Sequence, residues 1–274
     1  MIKFVDLFSG IGGFRLAFES TGAKCVFSAE IDKHACETYQ KNFGDYPFCD
    51  VSTLSTSDIP DFDILCAGFP CQPFSLAGKR KGFEDTRGTL FFDIERIIHA
   101  KQPKAFILEN VKGLVNHDKG KTLKVILETL EKKLNYKVFY QVLNSKDYSV
   151  PQNRERIYII GFKNHDINFQ FPEKEELQTD LSTIRDTNIM SIENTDISDL
   201  AKSHIMTHLK NHKKYHDIKE NKLLLAYEVR KSRCAFRFDN ISPTLTAKMG
   251  TGGNNVPIFV NELRKFSTRE CLRI

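Results

Sequence analysis

The sequence predicts an α/β protein: a mostly parallel sheet covered on both faces, followed by a smaller, irregular second lobe. Three observations carry this expectation. Between residues 2 and 163, short apolar runs alternate with longer stretches of helical period, the pattern that builds parallel sheets. After Pro172 the chain turns polar, rich in Lys, Asn, Asp and Glu, with few strand signals. The 274 residues are 41% hydrophobic and 27% charged, enough apolar material to bury a core.

Taken in order, the strand candidates are 2–8, 24–30, 62–67, 105–109, 137–143 and 157–162. The helix candidates are 14–20, 33–42, 90–100 and 121–134. Residues 1–171 read as the first domain, 172–265 as the second lobe, and 266–274 as the start of a returning helix. In open sheets of this type ligands bind beyond the carboxyl ends of the strands, and most of the informative residues fall there.

Composition excludes several classes. No run of about 18 apolar residues is present, so no membrane-spanning helix is expected. The opening MIKFVDLF lacks a signal peptide's charged head and cleavage site, so a cytoplasmic protein is expected. Seven cysteines stand at 25, 36, 49, 66, 71, 234 and 271. The count is odd and no Cys-x-x-Cys occurs, which argues against a disulfide framework and a cysteine-based zinc site. Cys25 and Cys66 lie in apolar runs and read as core residues. A formal charge of +5 permits a nucleic-acid partner without demanding one.

The first strand leads into Phe8-Ser9-Gly10-Ile11-Gly12-Gly13. Glycines let the backbone turn tightly and let a ligand lie against it. Alone, the loop is equally a plain structural turn. Two acids strengthen the ligand reading. Glu30 ends the second strand, where such folds hold ribose hydroxyls. Asp50 follows the short apolar run 46–49, where a carboxylate can accept from an adenine amino group. Together they describe a pocket for an adenosine-bearing cofactor.

The third strand ends in Gly68-Phe69-Pro70-Cys71-Gln72-Pro73-Phe74-Ser75. Two prolines stiffen the loop around Cys71, and a cysteine so placed can attack a bound substrate. The glycine-bounded basic stretch 78–88 reads either as a lid over a phosphate backbone or as an ordinary exposed loop. Glu109 ends the fourth strand candidate and is a candidate proton donor to a substrate ring. Arg154 and Arg156, two apart before the last strand, project the same way if extended. They suit a phosphate and a polar base edge. Each of these three charges, taken alone, reads first as a solvated surface group.

The order DLFSGIGGF, Glu30, GFPCQPFS, ENV and QNRERIY closely resembles the bacterial cytosine-5 DNA methyltransferases of restriction–modification systems. The likeness runs over 2–172 and returns at 242–245 and 264–271. It implies a Rossmann-like, S-adenosylmethionine-dependent methyltransferase fold acting on double-stranded DNA. It further implies Cys71 as the nucleophile and Glu109 as the group on cytosine N3 and its amino group. Arg156 then contacts the base and Arg154 supports the site. Phe8, Gly10, Gly12, Glu30, Ile31, Asp50, Pro70 and Leu90 would line the donor pocket. Ile31 departs from relatives that carry an aromatic there, which implies weaker stacking on adenine. A base in a stacked duplex is out of reach, so it must be flipped out, and methyltransferases are a known case of this.

The second lobe would then read the target sequence. It offers Arg230, Lys231, Arg233 and Arg237, then Thr244, Leu245, Lys248, Asn254 and Asn255 among glycines. Thr244-Leu245 matches a pair typical of the family, and Arg, Thr and Asn can bond base edges. His204, His208, His212 and His216 recur every four residues. A zinc-binding face is set against a solvated basic face, since lysines interleave and no thiol or carboxylate shares the pattern; no metal is expected.

Two alternatives stand beside this reading. One is an RNA methyltransferase on the same scaffold, although the Cys-Phe-Thr run of that branch is absent. The other is an inactive or split chain. Ser267 and Glu270 read as a capping box opening a helix, and the chain ends at Ile274. Relatives continue to a Gly-Asn-Ser segment that completes the donor pocket. This implies a truncated chain, or a second polypeptide bearing that segment.

Overall fold

The computed structural model describes residues 1–70, 90–176, 178–186, 195–212, 223–246, 249 and 256–274. The chain forms two units: Met1–Leu143 with Arg156–Phe171, and Asn144–Glu155 with Pro172–Ile274. Residues 144–155, assigned from the sequence to the first domain, thus cluster with the second unit. Residues 266–274 do so as well.

In the first unit the elements are β1 (Lys3–Leu7), α1 (Gly13–Glu19), β2 (Lys24–Ala29), α2 (Lys33–Phe43), β3 (Ile64–Gly68), α3 (Leu90–Lys101), β4 (Ala105–Val111), α4 (Lys121–Glu128) and β5 (Lys137–Asn144). After the two-residue β6 (Gln152–Asn153) comes β7 (Glu155–Phe162). The six-stranded sheet runs β2-β1-β3-β4-β7-β5. Strands β1 to β4 pair in parallel, and β7 lies antiparallel to β4. The expected strands and helices are present with ends shifted by a residue or two. One expectation needs correction. The helix read over 121–134 is α4 followed by a π turn at Thr129–Lys133, closed by Leu134 N–H donating to Thr129 O at 3.0 Å. In the short apolar run 46–49, Phe48 forms an isolated parallel bridge with Glu30.

The core follows from the strand pattern. Phe4, Val5, Leu7, Leu65, Ala67, Phe106 and Leu108 are fully buried. From the helices, Ile94, Ile97, Ile98 and Ile126 pack onto this layer. Helix α2 starts where the Asp32 side chain accepts from Ala35 N–H, and stops at Gly44, whose φ of 85° ends it in a left-handed turn.

The second unit is the smaller one, as expected, and is built around an antiparallel sheet. It contains α5 (Leu181–Ile184), α6 (Asp199–Lys210), β8 (Leu225–Arg230), β9 (Arg233–Arg237), β10 (Ser242–Pro243), β11 (Ile258–Phe259), β12 (Arg264–Lys265) and α7 (Thr268–Leu272). An antiparallel sheet runs β12-β11-β8-β9. One face buries Leu181, Leu225, Phe259 and Phe266; Ile205, Ala226 and Ile258 form a second cluster. Helix α7 carries the expected capping box. Ser267 Oγ accepts from Glu270 N–H at 3.1 Å, and Glu270 accepts from Ser267 N–H at 2.7 Å. Glu270 also holds Arg264 through two bonds of 2.7 and 2.8 Å. Of the four regularly spaced histidines, three are described. His204 and His208 lie on α6, whereas His212 lies beyond it with its ring against Phe236 and Phe238. His216 lies outside the described residues. Among the described residues no His/Cys/Asp/Glu group is placed to hold a metal, and no helix is long and apolar enough to cross a membrane.

Candidate active site

The glycine loop after β1 is fixed by its own backbone. Ser9 N–H donates to Ala29 O at 3.0 Å, and Gly12 N–H to Ser9 O at 2.9 Å. Phe8, Gly10 and Gly12 all have positive φ, at 55°, 54° and 96°. At Gly12 a Cβ would lie 2.2 Å from Phe43 Cε2, so packing as well as φ restricts this position to glycine. At Gly10 no described residue lies within 4 Å of where a Cβ would be, which leaves room for a ligand against the backbone.

Glu30 organises the rim of this loop. Its Oε2 accepts from Gly10 N–H at 2.8 Å. Its Oε1 accepts from Ile31 and Asp32 N–H at 2.9 and 2.8 Å. A carboxylate has about four acceptor positions, so capacity remains for a hydroxyl. Among the described residues, Asp50 accepts from Ser52 N–H and Oγ, both on its Oδ1. Ile31 is 62% exposed. Beneath the loop, neither oxygen of buried Asp6 nor the Ser9 hydroxyl meets a geometrically sound hydrogen-bond partner among the described residues. Burial pushes the Asp6 carboxyl up to about 8, against a smaller opposing pull from Arg15.

A second group of residues meets where β3, β4 and β7 run side by side. Gly68 pairs with Glu109, and Val111 with Arg156. The Arg156 side chain reaches two residues diagonally across the ladder. Its Nε lies 2.8 Å from Glu109 Oε1, with side chains 16% and 20% exposed. A Cβ on Gly68 would come within 3.3 Å of Glu109 Oε2, so this glycine makes room for the carboxylate. The sequence reading gave no role to Asn110, which is 2% exposed. Its Nδ2 donates to Phe69 O at 2.9 Å and its Oδ1 accepts from Val111 N–H at 2.8 Å. It thereby ties the end of β4 to the residue before Pro70. Its place beside Glu109 in the Glu-Asn-Val run was the available signal.

Pro70 is exposed and ends the described part of the β3 loop; Leu90, half-buried, opens α3. Cys71 lies between them, outside the described residues, as do Lys248, Asn254 and Asn255 in the second unit. The six described cysteines are poor thiolates, because burial pushes each thiol up, Cys25 to about 11 and Cys66 further.

Arg154 belongs to the second unit, where its N–H donates to Asn144 Oδ1 at 3.0 Å. The sequence placed Arg154 and Arg156 together, but they fall in different units. The preceding Gln152–Asn153 pairs in parallel with Ser242–Pro243. Thr244 Oγ1 donates to Asn153 O at 2.7 Å, and Leu245 N–H to Gln152 Oε1 at 3.3 Å. Arg237 is tied to Asp239, its Nε donating at 3.0 Å.

Comparison with known proteins decides the family. A model of the C-5 cytosine-specific DNA methylases matches residues 2–274. The chain belongs to this family. Its relatives include the type II methyltransferase M.NlaX of Neisseria lactamica, 60% identical over 176 residues, covering 63% of this chain and 56% of the relative. M.NgoBI of Neisseria gonorrhoeae is 46% identical over 279 residues, covering 100% and 82%. The matched part thus spans a little over half of the first relative and about four fifths of the second. A DNA modification methyltransferase encoded within an E. coli prophage shares the fold at 21% identity, with a TM-score of 0.68 over 100% of this chain and 88% of that one.

Methylases of this family draw the methyl group from S-adenosylmethionine. The residues present suit its adenosine end. The open backbone at Gly10, the spare acceptor capacity of Glu30 and the Oδ2 of Asp50, uncommitted among the described residues, suit a nucleoside's face, hydroxyls and amino group.

Proposed function

We propose that this chain methylates carbon 5 of a cytosine flipped out of a specific duplex DNA sequence, as the modification arm of a restriction–modification system. The observation that carries the proposal is the Glu109–Arg156 pair, 2.8 Å apart on neighbouring strands beside the β3 end that leads to Cys71.

Cytosine carbon 5 is too weak a nucleophile to take a methyl group unaided. In this reading the Cys71 thiolate forms a bond to carbon 6 and pushes an electron pair toward carbon 5. Glu109 supplies a proton or hydrogen bond at N3, which stabilises the developing anion. Arg156 fixes Glu109 and the base edge; Arg154, to which the resemblance gives a supporting role, belongs to the second unit. S-adenosylmethionine, when bound, supplies a methyl group on a sulfonium leaving group. Loss of the carbon-5 proton and breaking of the Cys71–carbon 6 bond then restore the aromatic ring. Phe8, Gly10, Gly12, Glu30, Ile31, Asp50, Pro70 and Leu90 hold the donor.

Purified chain, methyl-labelled S-adenosylmethionine and unmodified genomic DNA are expected to yield 5-methylcytosine on base analysis. Label on an exocyclic amine, or none at all, refutes the assignment. DNA as substrate puts the enzyme with the chromosome, in a bacterial cytoplasm. The second polypeptide expected from the sequence draws no support from the relatives named above, none of which is described as half of a pair.

Target recognition falls to the second unit, through Arg237, Thr244, Leu245, Lys248, Asn254 and Asn255. Exchanging 230–260 for the matching stretch of M.NgoBI is expected to change the methylated sequence and leave the chemistry unchanged. Sequencing the methylated sites before and after decides it; unchanged specificity overturns the role.

A further inference from the structure

The first unit buries its large apolar side chains well, yet leaves a group of them in water near the glycine loop. Ile11 is 56% exposed, Ile31 62%, Tyr46 47% and Phe48 52%. Exposed apolar side chains gathered in one place mark a contact surface more often than single ones do. Phe48 is the best placed of the four. Two backbone bonds flank it: Glu30 N–H donates to Pro47 O, and Cys49 N–H to Glu30 O, each at 2.9 Å. They make the parallel bridge between Phe48 and Glu30. Bridged residues present their side chains to the same side, and Asp50, two residues on, points that way where the chain stays extended. Phe48 therefore stands beside the acid that orders the Gly10 and Ile31 backbone. Its neighbours hold it loosely. The Tyr46 ring lies 6.3 Å away between centroids, and Lys33 Nζ 5.9 Å from the ring centre. About half of the side chain thus remains open to a ligand.

We propose that Phe48 is a donor-binding residue, its ring packing against the adenine of S-adenosylmethionine with Ile31 as an aliphatic neighbour. The proposal rests on the donor-pocket reading above. The chemistry fits: every purine has a π face, aromatic rings pack on it without needing a particular hydrogen bond, and Glu30 and Asp50 supply the polar contacts at either end. Phe48 thus adds the apolar contact that Ile31 alone gives only in part.

The chain contains no tryptophan, so Phe48→Trp introduces a single indole reporter at the site. Titration of the purified Phe48→Trp chain with S-adenosylhomocysteine is expected to change its emission saturably, with the Kd found by calorimetry. Tyr140→Trp on β5, at a position 50% exposed, serves as the control and is expected to stay silent. Phe48→Ala is expected to raise the Kd about ten-fold, or ~1.4 kcal/mol, and to raise KM for the donor while KM for DNA holds. Adding Ile31→Trp to Phe48→Ala is expected to recover most of the loss, which a merely structural role would not allow. Unchanged emission from the Phe48→Trp chain, with normal binding by calorimetry, overturns the proposal. So does a Phe48→Ala chain with parental affinity; if Glu30→Ala then weakens binding, the pocket itself stands. Parental affinity in both variants, or no binding by the parent, overturns the pocket reading together with the role of Phe48.

Discussion

Serine in place of Cys71 is expected to lower methyl transfer by on the order of 10⁴-fold or more, the scale on which loss of a nucleophile acts. A hydroxyl is rarely ionised near neutral pH and is a far weaker nucleophile than a thiolate, so the bond to carbon 6 does not form. No described cysteine is suited to substitute, because burial raises the thiol of each. The change is nearly isosteric, so thermal unfolding is expected to stay close to the parent's. The companion measurement uses a duplex whose target base is 5-fluorocytosine. Fluorine cannot leave carbon 5 as a proton does, so the methylated adduct persists, and peptide mass spectrometry is expected to find it on Cys71. Turnover near the parental rate in Cys71→Ser, or an adduct on another cysteine, sinks the mechanism.

Glutamine at Glu109 is expected to cost about 10²–10³-fold in kcat, the usual effect of removing one group that stabilises developing charge. The amide fits the space beside Gly68 and keeps hydrogen bonds to N3 and the amino group. It cannot transfer a proton to N3, so the loss falls on the chemical step, and KM for DNA is expected to change little. Glu109→Gln also removes the anionic partner of Arg156. With these side chains only 16% and 20% exposed, losing the charge is expected to cost roughly 1–3 kcal/mol in stability, since the amide oxygen can still accept a hydrogen bond from Arg156. Activity is therefore compared well below the melt of the variant, where both proteins are folded. Steady-state kinetics with a thermal melt decides the matter: a kcat within about two-fold of the parent removes Glu109 from the mechanism.

Much of the first unit was legible because its strands are short apolar runs, the central ones β1 and β3 almost wholly buried, which stand out from any helical period. The second unit was not. Strands β8 and β9 carry Glu228, Arg230, Arg233 and Arg237, and charges at that density hide a half-buried strand. Strands β10, β11 and β12 are two residues each, too short to show a period. The histidine repeat shows how little a spacing alone determines. The four-residue spacing persists in the sequence, but α6 ends at Lys210 and His212 packs on Phe236 and Phe238 instead.

By itself the sequence determined the class of the fold, the family, and the ordered set of residues from Phe8 to Arg156 on which the chemistry is proposed to rest. Such information is local: a glycine loop, a strand end and a stiff cysteine loop are each written in a few adjacent residues. Tertiary structure decided what depends on chain segments far apart. It ran β7 antiparallel to β4, between β4 and β5, which brings Arg156 to Glu109 although they stand far apart in the sequence. It joined Gln152–Asn153 to Ser242–Pro243 and so split Arg154 from Arg156 between units. It put Asn110 on the Phe69 carbonyl, and Phe48 beside Glu30. Pairing partners are set by which distant backbone groups must satisfy one another once water is excluded, and no short stretch of sequence records that choice.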